Sequence, residues 1–379
     1  MTHAHVFNEA GAKPGRSAFP SPGAAAGSIR FDRLGDDDPL IRGWGRLNTA
    51  AVLPTQGYGF TAALSRTMLA GTPIEVFHVG VPGSVSALLP LCRDPGYFAR
   101  WRIVGAAEVF EPGDALYETP EAAHLLARTV TRGARPLRLD RVPASSQLVP
   151  ALKAAMRRRG WVSVRPAVPC PTIALDARWK DPESRFNAGR RSDFRRAARK
   201  AEEFGTTTYE IRSPAPREFD ALFNEAIAVE LCSWKKDAGT AIASDRSKEG
   251  FFREFFRSAC ERGTFRLSFM RIEGRAVAMQ MAVVDARRYS LFKIGYDETY
   301  KKCSPGNLLM LYTLGFAAAQ DMAAYEMLGS IEPWIAQLWT RAQHDCVQLR
   351  TYPFSLRGGC ALAADAWTWL RVKLVRALK

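Results

Sequence analysis

Apolar and polar positions change rhythm repeatedly along the chain, and each change marks an element. Between residues 55 and 110, TAALSRTMLA has helical spacing, IEVFHVG and VSALLPLC read as strands around a Pro-Gly turn, and WRIVGAAEVF reads as a further strand. EAAHLLARTV predicts a helix, PLRLDRV a short strand, and SSQLVPALKAAMRRRG a helix that ends at Gly160. WVSVRPAVPCPTIALD is predicted to be extended, broken by Pro166, Pro169 and Pro171, with a domain boundary just after it near Asp176. A helix followed by strands, then helix, strand and helix, is an α+β series that needs its own sheet and core.

The stretch RFNAGRRSDFRRAARKAEEFG, from Arg185 to Gly205, predicts a helix with two unequal sides. Arg191, Arg195, Arg196, Arg199 and Lys200 make a basic side, and Phe194, Ala197, Ala198 and Ala201 a narrow apolar one. Such a helix is either solvated and docked by its stripe, or its guanidinium groups hold phosphate. TTTYEIR then reads as a strand, PREFDALFNEAIAVELCSWKK as a helix opened by Pro216, and KEGFFREFFRSACERG as a helix ending at Gly263.

TFRLSFMRI, RAVAMQMAVVD and YSLFKIGYD are separated only by Glu273-Gly274 and Ala286-Arg287, which predicts an antiparallel meander. Its last strand leads into Lys301-Lys302-Cys303-Ser304-Pro305-Gly306-Asn307, a small-residue turn that opens the apolar helix LLMLYTLGFAAAQDM before the strand AYEML. The first N–H groups of a helix have no internal partner and sit at the positive end of its dipole, so this turn suits an anion. Beyond Gly329, IEPWIAQLWTRAQ predicts a helix and VQLRTYPF a strand. The tail DAWTWLRVKLVRALK puts Trp367, Leu370, Leu374 and Leu378 at helical spacing, a face for core or partner packing or for an anionic membrane surface.

Composition narrows the partners more than the fold. A length of 379 residues spans two to three average domains, and a 47% hydrophobic and 24% charged content is that of a folded protein. The excess of 53 Lys and Arg over 38 Asp and Glu, a net +15, favours nucleic acid, anionic lipid or a phosphorylated cofactor. Residues 1–28 are rich in Ala, Gly, Pro and Ser without apolar periodicity and are expected to be a disordered leader, in which His3 and His5 are incidental. Seven scattered cysteines with no Cys-x-x-Cys spacing indicate neither a disulfide framework nor a zinc site, and no metal is expected. A reducing cytoplasm fits that pattern, as does the lack of a signal-peptide or membrane-span pattern. Oligomeric state is not legible.

The run from RLSFMRIEGRAVAMQMAVVD to GFAAAQDMAAYEMLGS resembles the acyl-CoA-binding core of the GNAT acyltransferase superfamily. Ser233-Trp234-Lys235, Gly239-Thr240-Ala241-Ile242, Gly295-Tyr296-Asp297, Ser304-Pro305-Gly306 and Glu326-x-Leu328-Gly329 resemble the acetyltransferase branch grouped with cellulose-biosynthesis proteins, the CelD/BcsL type. That resemblance covers about residues 185–345, and its Fem-type relatives imply two GNAT-like domains in tandem, each a mixed, mostly antiparallel sheet flanked by helices. The expected division is a leader at 1–28, a degenerate, bracing N-terminal domain at 29–176 and the transferase domain with its basic tail at 177–379.

The same resemblance implies a cofactor pyrophosphate on a Gln/Arg-x-x-Gly-x-Gly/Ala turn. Lys301 then takes the basic position, Ser304 replaces the first glycine and Gly306 matches the second, with Lys302, Asn307 and Leu308 completing the cofactor contacts. The implied donor is acetyl-CoA or another acyl-CoA, and the acceptor a small polar molecule or glycan, such as a sugar or cell-envelope precursor. A backbone N–H in the strand Lys293–Tyr296 would meet the thioester oxygen, and the acyl chain would enter where that strand splays from AYEML. Glu326 is the first candidate for general base and Glu230 the second, with Trp234 and Lys235 lining the acceptor side. The thiol acid is unassigned, with Tyr296, Tyr300 or a water able to serve, and Cys303 is expected to be a small buried residue. Aminoacyl-tRNA is the rival donor, and an inactive scaffold in polysaccharide assembly the rival class.

Overall fold

The computed structural model describes residues 25–95, 98–233 and 242–377. The expected leader lies outside these up to residue 24, and the chain from Ala26 is already the first strand. In the N-terminal half, β1 (Ala26–Arg30) is followed by α1 (Pro39–Leu47), α2 (Tyr58–Arg66), β2 (Ile74–Val81), β3 (Ser84–Arg93), β4 (Trp101–Ile103) and β5 (Leu116–Tyr117). Then come α3 (Pro120–Thr131), β6 (Leu137–Pro143), α4 (Leu148–Met156) and β7 (Gly160–Ala174). The C-terminal half opens with α5 (Ala188–Glu202) and β8 (Thr207–Arg212), then α6 (Phe219–Leu231), α7 (Arg246–Glu261), β9 (Phe265–Ile272), β10 (Arg275–Asp285) and β11 (Arg288–Tyr296). It closes with α8 (Pro305–Ala319), β12 (Ala324–Glu326), β13 (Gln343–Pro353) and α9 (Leu356–Ala377).

One plan is used twice. Each half runs strand, two helices, three strands of an antiparallel meander, a helix, and a strand parallel to the last of the meander: β4 pairs with β6, and β11 with β12. The strands form a single sheet in the order β1-β2-β3-β4-β6-β13-β7-β12-β11-β10-β9-β8, with β5 beside β3. The fold is thus mixed α/β, with a sheet that continues from one half to the other through β7 and β12. The strand β13 lies between β6 and β7, so the chain returns from the C-terminal half to the N-terminal end of the sheet before it finishes.

The meander forms because its turns permit nothing longer. Glu273-Gly274 and Ala286-Arg287 all have positive φ, the geometry that matches the twist of a two-residue hairpin, and the Asp285 carboxylate accepts the Ala286 N–H at 2.8 Å. Alternate residues of β9 to β11 then face opposite ways, and both faces are covered. Phe265, Leu267, Phe269, Met281 and Phe292 pack beneath α6 and α7 in a phenylalanine-rich core that also takes Phe60 and Leu64 from α2, so the halves share apolar volume. On the other face α8 and α5 cover Met270, Ile272, Ala282 and Leu291. The Tyr325 and Thr313 hydroxyls each meet Gln280 Oε1 at 3.0 Å, pinning α8 over strands β10 and β12.

Two sequence expectations need correction. IEPWIAQLWTRAQ is not a helix of that length: only Ile335–Trp339 makes a wide turn before the chain straightens into β13. Its aromatic side is spent locally, with Trp339 packed against Phe186 and Phe194. WRIVGAAEVF is a strand only over Trp101–Ile103, and then turns back so that Glu108 can pair with Arg102. No helix among the described residues is long and apolar enough to cross a membrane.

Candidate functional site

The lysine-flanked turn is tighter than its sequence suggests. Glu298–Cys303 wind into a short 3-10 turn, Ser304 enters the left-handed region at φ 47°, and Pro305 begins α8. Asn307 and Leu308 both give their N–H groups to Ser304 O, at 3.0 and 3.2 Å, so these two expected cofactor donors are already engaged. The Gly306 N–H finds no partner among the described residues. A Cβ at 306 would lie 3.4 Å from Tyr296 Cδ1 and 3.9 Å from Ile294 Cδ1, so the helix terminus sits directly against the end of β11. Cys303 is buried, gives its thiol to Tyr300 O at 3.1 Å, and has its pKa raised by that burial, as a packing residue and not a nucleophile would.

A cavity of about 350 Å³ lies beside this terminus, between α5, α8 and the turn at Leu338. Lys302, Ser304 and Asn307 line it from one side, and Arg190, Arg196 and Lys200 from the other; Asp193 is the one carboxylate in the lining. That carboxylate holds Arg196 at 2.6 Å and Arg190 at 3.9 Å, which orients the two guanidinium groups. α5 is seated on α8 by its apolar stripe, with Phe194 and Ala201 buried, and of the basic side expected from the sequence only Arg196 and Lys200 line the cavity, whereas Arg191 donates to Phe186 O at 2.9 Å and Arg195 pairs with Glu183 at 3.5 Å. Lys301, Gly306 and Leu308 are outside the lining. The chemistry assembled here is a concave, cationic surface at a helix N-terminus, suited to phosphate.

The same end of β11 also borders a gap. β12 pairs with β11 only through Arg288–Ala324, Tyr289–Tyr325 and Ser290–Glu326, after which β12 stops while β11 runs on to Tyr296. Within that extension Phe292 is an extra, bulged residue, since Lys293 faces Met281 and Leu291 faces Ala282. Gly295 is forced by α6: a Cβ there would come within 3.1 Å of Glu230 Cα.

The two candidate bases occupy different surroundings. Glu326 ends β12, buried, with its carboxylate paired to the Arg288 guanidinium and 3.1 Å from His344 Nε2. Burial pushes its pKa up, but the hydrogen bond and charge of His344, with the charge of Arg288, outweigh it and leave the carboxyl below its ordinary range. His344 is raised in turn, chiefly by its hydrogen bond to Glu326. The histidinium contribution to stability is full below pH 6.5 and fades as pH rises through the raised value; the carboxylate contribution is full above 4.5 and fades as pH falls through the lowered one. The pair is therefore complete only between those limits. By NMR, the His344 titration is expected above its ordinary midpoint, returning toward it in Glu326→Gln; an unshifted midpoint in the wild type would contradict the pairing. Glu230 is fully buried at the end of α6 and accepts the Ile242 N–H at 2.8 Å, which closes the connection from α6 to α7. Trp234 and Lys235, in that connection, lie outside the described residues.

Sequence reasoning missed a third carboxyl. Glu111, from the N-terminal half, is buried and accepts the Gly329 N–H at 3.3 Å, just past the end of β12. The charge of Lys293, on the extension of β11, also acts on it. Burial raises its pKa, and the charges of Lys293 and Arg141 only partly oppose that. Arg141 locks the arrangement: its buried guanidinium donates to Phe110 O, to Val168 O at 3.2 Å and to Gly329 O. No local signal marks Glu111, since VFEPGD is an ordinary turn sequence; only contact between the halves gives it a place.

Residues 188–334 match the family model described as Acetyltransferase (GNAT) domain. No curated protein matches the sequence. Among solved structures, FemX has a TM-score of 0.57 at 10% identity over 83% of this chain and 96% of its own. The C-terminal domain of a candidate lysylphosphatidylglycerol synthetase from Agrobacterium fabrum scores 0.53 at 11% identity, over 86% and 95%. A conserved protein of unknown function from Bacteroides thetaiotaomicron scores 0.51 at 10%, over 82% and 97%. At such identities the likeness is one of fold. The family match supports acyltransferase activity, and it spans α5, the meander, the lysine-flanked turn and β12. Residues 188–334 of this chain are thus similar to a GNAT acetyltransferase domain.

Proposed function

We propose that the chain transfers an acyl group from acyl-CoA, with acetyl-CoA the first donor to test, to an amine or hydroxyl of a polar acceptor. The observation that carries this is the cationic cavity at the start of α8, inside the matched domain and against the same end of β11 that borders the gap. The cofactor phosphates would lie by Arg190, Arg196, Lys200 and Lys302, with the Gly306 N–H as a backbone donor. The thioester would reach the gap between β11 and β12, where a backbone N–H of the β11 extension stabilises the developing oxyanion.

Glu111 is the group we assign to proton transfer. It takes the proton as the acceptor nucleophile bonds to the acyl carbon; the tetrahedral adduct then expels the CoA thiolate, which is protonated by water. Glu326 is the weaker choice because its carboxylate is lowered in pKa and already shared by Arg288 and His344. Glycan or cell-envelope precursors, and a place among CelD/BcsL-type proteins, are the acceptor class and branch that the sequence resemblance supports.

Calorimetric titration with acetyl-CoA tests the donor: saturable binding below about 1 mM is expected, the usual ceiling of substrate affinities. Absence of heat at that concentration, in a folded sample, would remove acyl-CoA as donor. The net +15 favours aminoacyl-tRNA as the second reading. That donor predicts affinity falling about a thousandfold or more between 50 and 200 mM salt, as for neutralising about six or more phosphates.

A further inference from the structure

The C-terminal helix presents an apolar stripe on the side away from the protein. α9 is fastened at its start: Ala361 is fully buried, and Asp365 is gripped by Arg100 through both carboxylate oxygens at 2.9 and 3.0 Å, by Arg350 at 3.0 Å and by the Tyr352 hydroxyl at 2.7 Å. Burial raises the Asp365 pKa, but the hydrogen bonds from Arg100 and Tyr352 and the two guanidinium charges outweigh it, so the carboxyl stays ionised and the clamp closed at neutral pH. At the helical pitch of 100° per residue, Asp365 points opposite the centre of the row Trp367, Leu370 and Leu374. These three are 65%, 45% and 61% exposed. The clamp therefore decides which way the stripe faces.

We propose that this stripe docks onto a bilayer surface that carries anionic lipids, with α9 lying in the interfacial plane. Charge selects this occupant. Asp365 is the last acidic residue of the sequence given, and the residues after it include Arg371, Lys373, Arg376 and Lys379. Arg371 and Lys373 stand on either flank of the stripe, where long stems let cationic heads reach phosphates while the apolar row is buried. Lys373 Nζ also lies 4.2 Å from the centre of the Trp369 ring, and Trp is a side chain suited to the boundary between lipid and water. A second copy of the chain would bring like charges together along the same row, which disfavours self-association through this face. The helix is too polar to cross the bilayer.

Vesicle co-sedimentation of the full chain tests the proposal. Binding to vesicles of phosphatidylglycerol in phosphatidylcholine is expected, at least about tenfold tighter than to phosphatidylcholine alone, because each basic side chain near such a surface adds attraction. The double variant Trp367→Glu, Leu374→Glu should lose at least about tenfold of that binding. Its thermal melt should match the wild type, since both side chains are solvent-exposed in the protein. Arg371→Ala, Lys373→Ala should weaken binding in a way that added salt reproduces in the wild type. Equal binding to neutral and anionic vesicles, or unchanged binding by the Glu variants, would overturn the proposal. So would light scattering that shows the wild type to be a dimer which the Glu variants dissociate.

Discussion

Gly306→Val is expected to weaken acetyl-CoA binding by about tenfold to a hundredfold, the cost of losing one charge-assisted hydrogen bond of about 1.5–3 kcal/mol. The backbone at 306 does not need glycine, since its φ is not in the left-handed region and a Cβ would make ordinary contacts with Tyr296 and Ile294. What glycine leaves open is the approach to the one N–H at the start of α8 that has no partner among the described residues. Gly306→Ala should therefore lose less than Gly306→Val, while both melt close to the wild-type temperature. The comparison is made by calorimetry at fixed salt. Equal affinity in wild type and Gly306→Val would move the cofactor phosphates away from this terminus, whatever the fate of the wider proposal.

Glu111→Gln is expected to lower turnover by about a hundredfold to ten-thousandfold, the usual contribution of a positioned general base. The amide keeps an oxygen for the Gly329 N–H, so the junction between the halves should survive and acetyl-CoA affinity should stay unchanged. Release of free CoA is the readout, with an acceptor in hand. The loss should fall on kcat and not on donor binding. Because burial raises the Glu111 pKa, wild-type activity should climb with pH as this group deprotonates, and that ascending limb should vanish in the variant. Glu326→Gln, by contrast, should alter the His344 titration more than the rate. Full turnover by Glu111→Gln would take that residue out of the mechanism.

Much of the local structure was legible. The meander could be read because two-residue turns leave no alternative, and α5 because Phe194 and Ala201 mark its buried side. The turn at Ser304 was legible as a helix start, although its donors were overcounted: Asn307 and Leu308 spend their N–H groups on Ser304 O. Glu326 was singled out by its place on β12, but its partners were not foreseeable, since Arg288 and His344 come from two other strands. The segment 331–343 misled because Trp334, Leu338 and Trp339 read as one side of a helix, yet Trp339 is used to pack against Phe186 and against Phe194 of α5.

Taken alone, the sequence determined most of the elements and the turn that opens α8, because periodicity, caps and short turns act over a few residues. Tertiary structure decided how the halves join. β13 crosses back between β6 and β7, Arg141 ties Phe110 to Gly329, and Glu111 comes to the divergence of β11 and β12 from 218 residues away in the chain. It also decided that the apolar row of α9 faces outward, since the grip of Arg100, Arg350 and Tyr352 on Asp365 sets the helix rotation. Such contacts leave no local pattern: a buried glutamate or a clamped aspartate is defined by the groups that desolvate and bind it, and these are brought together only by folding.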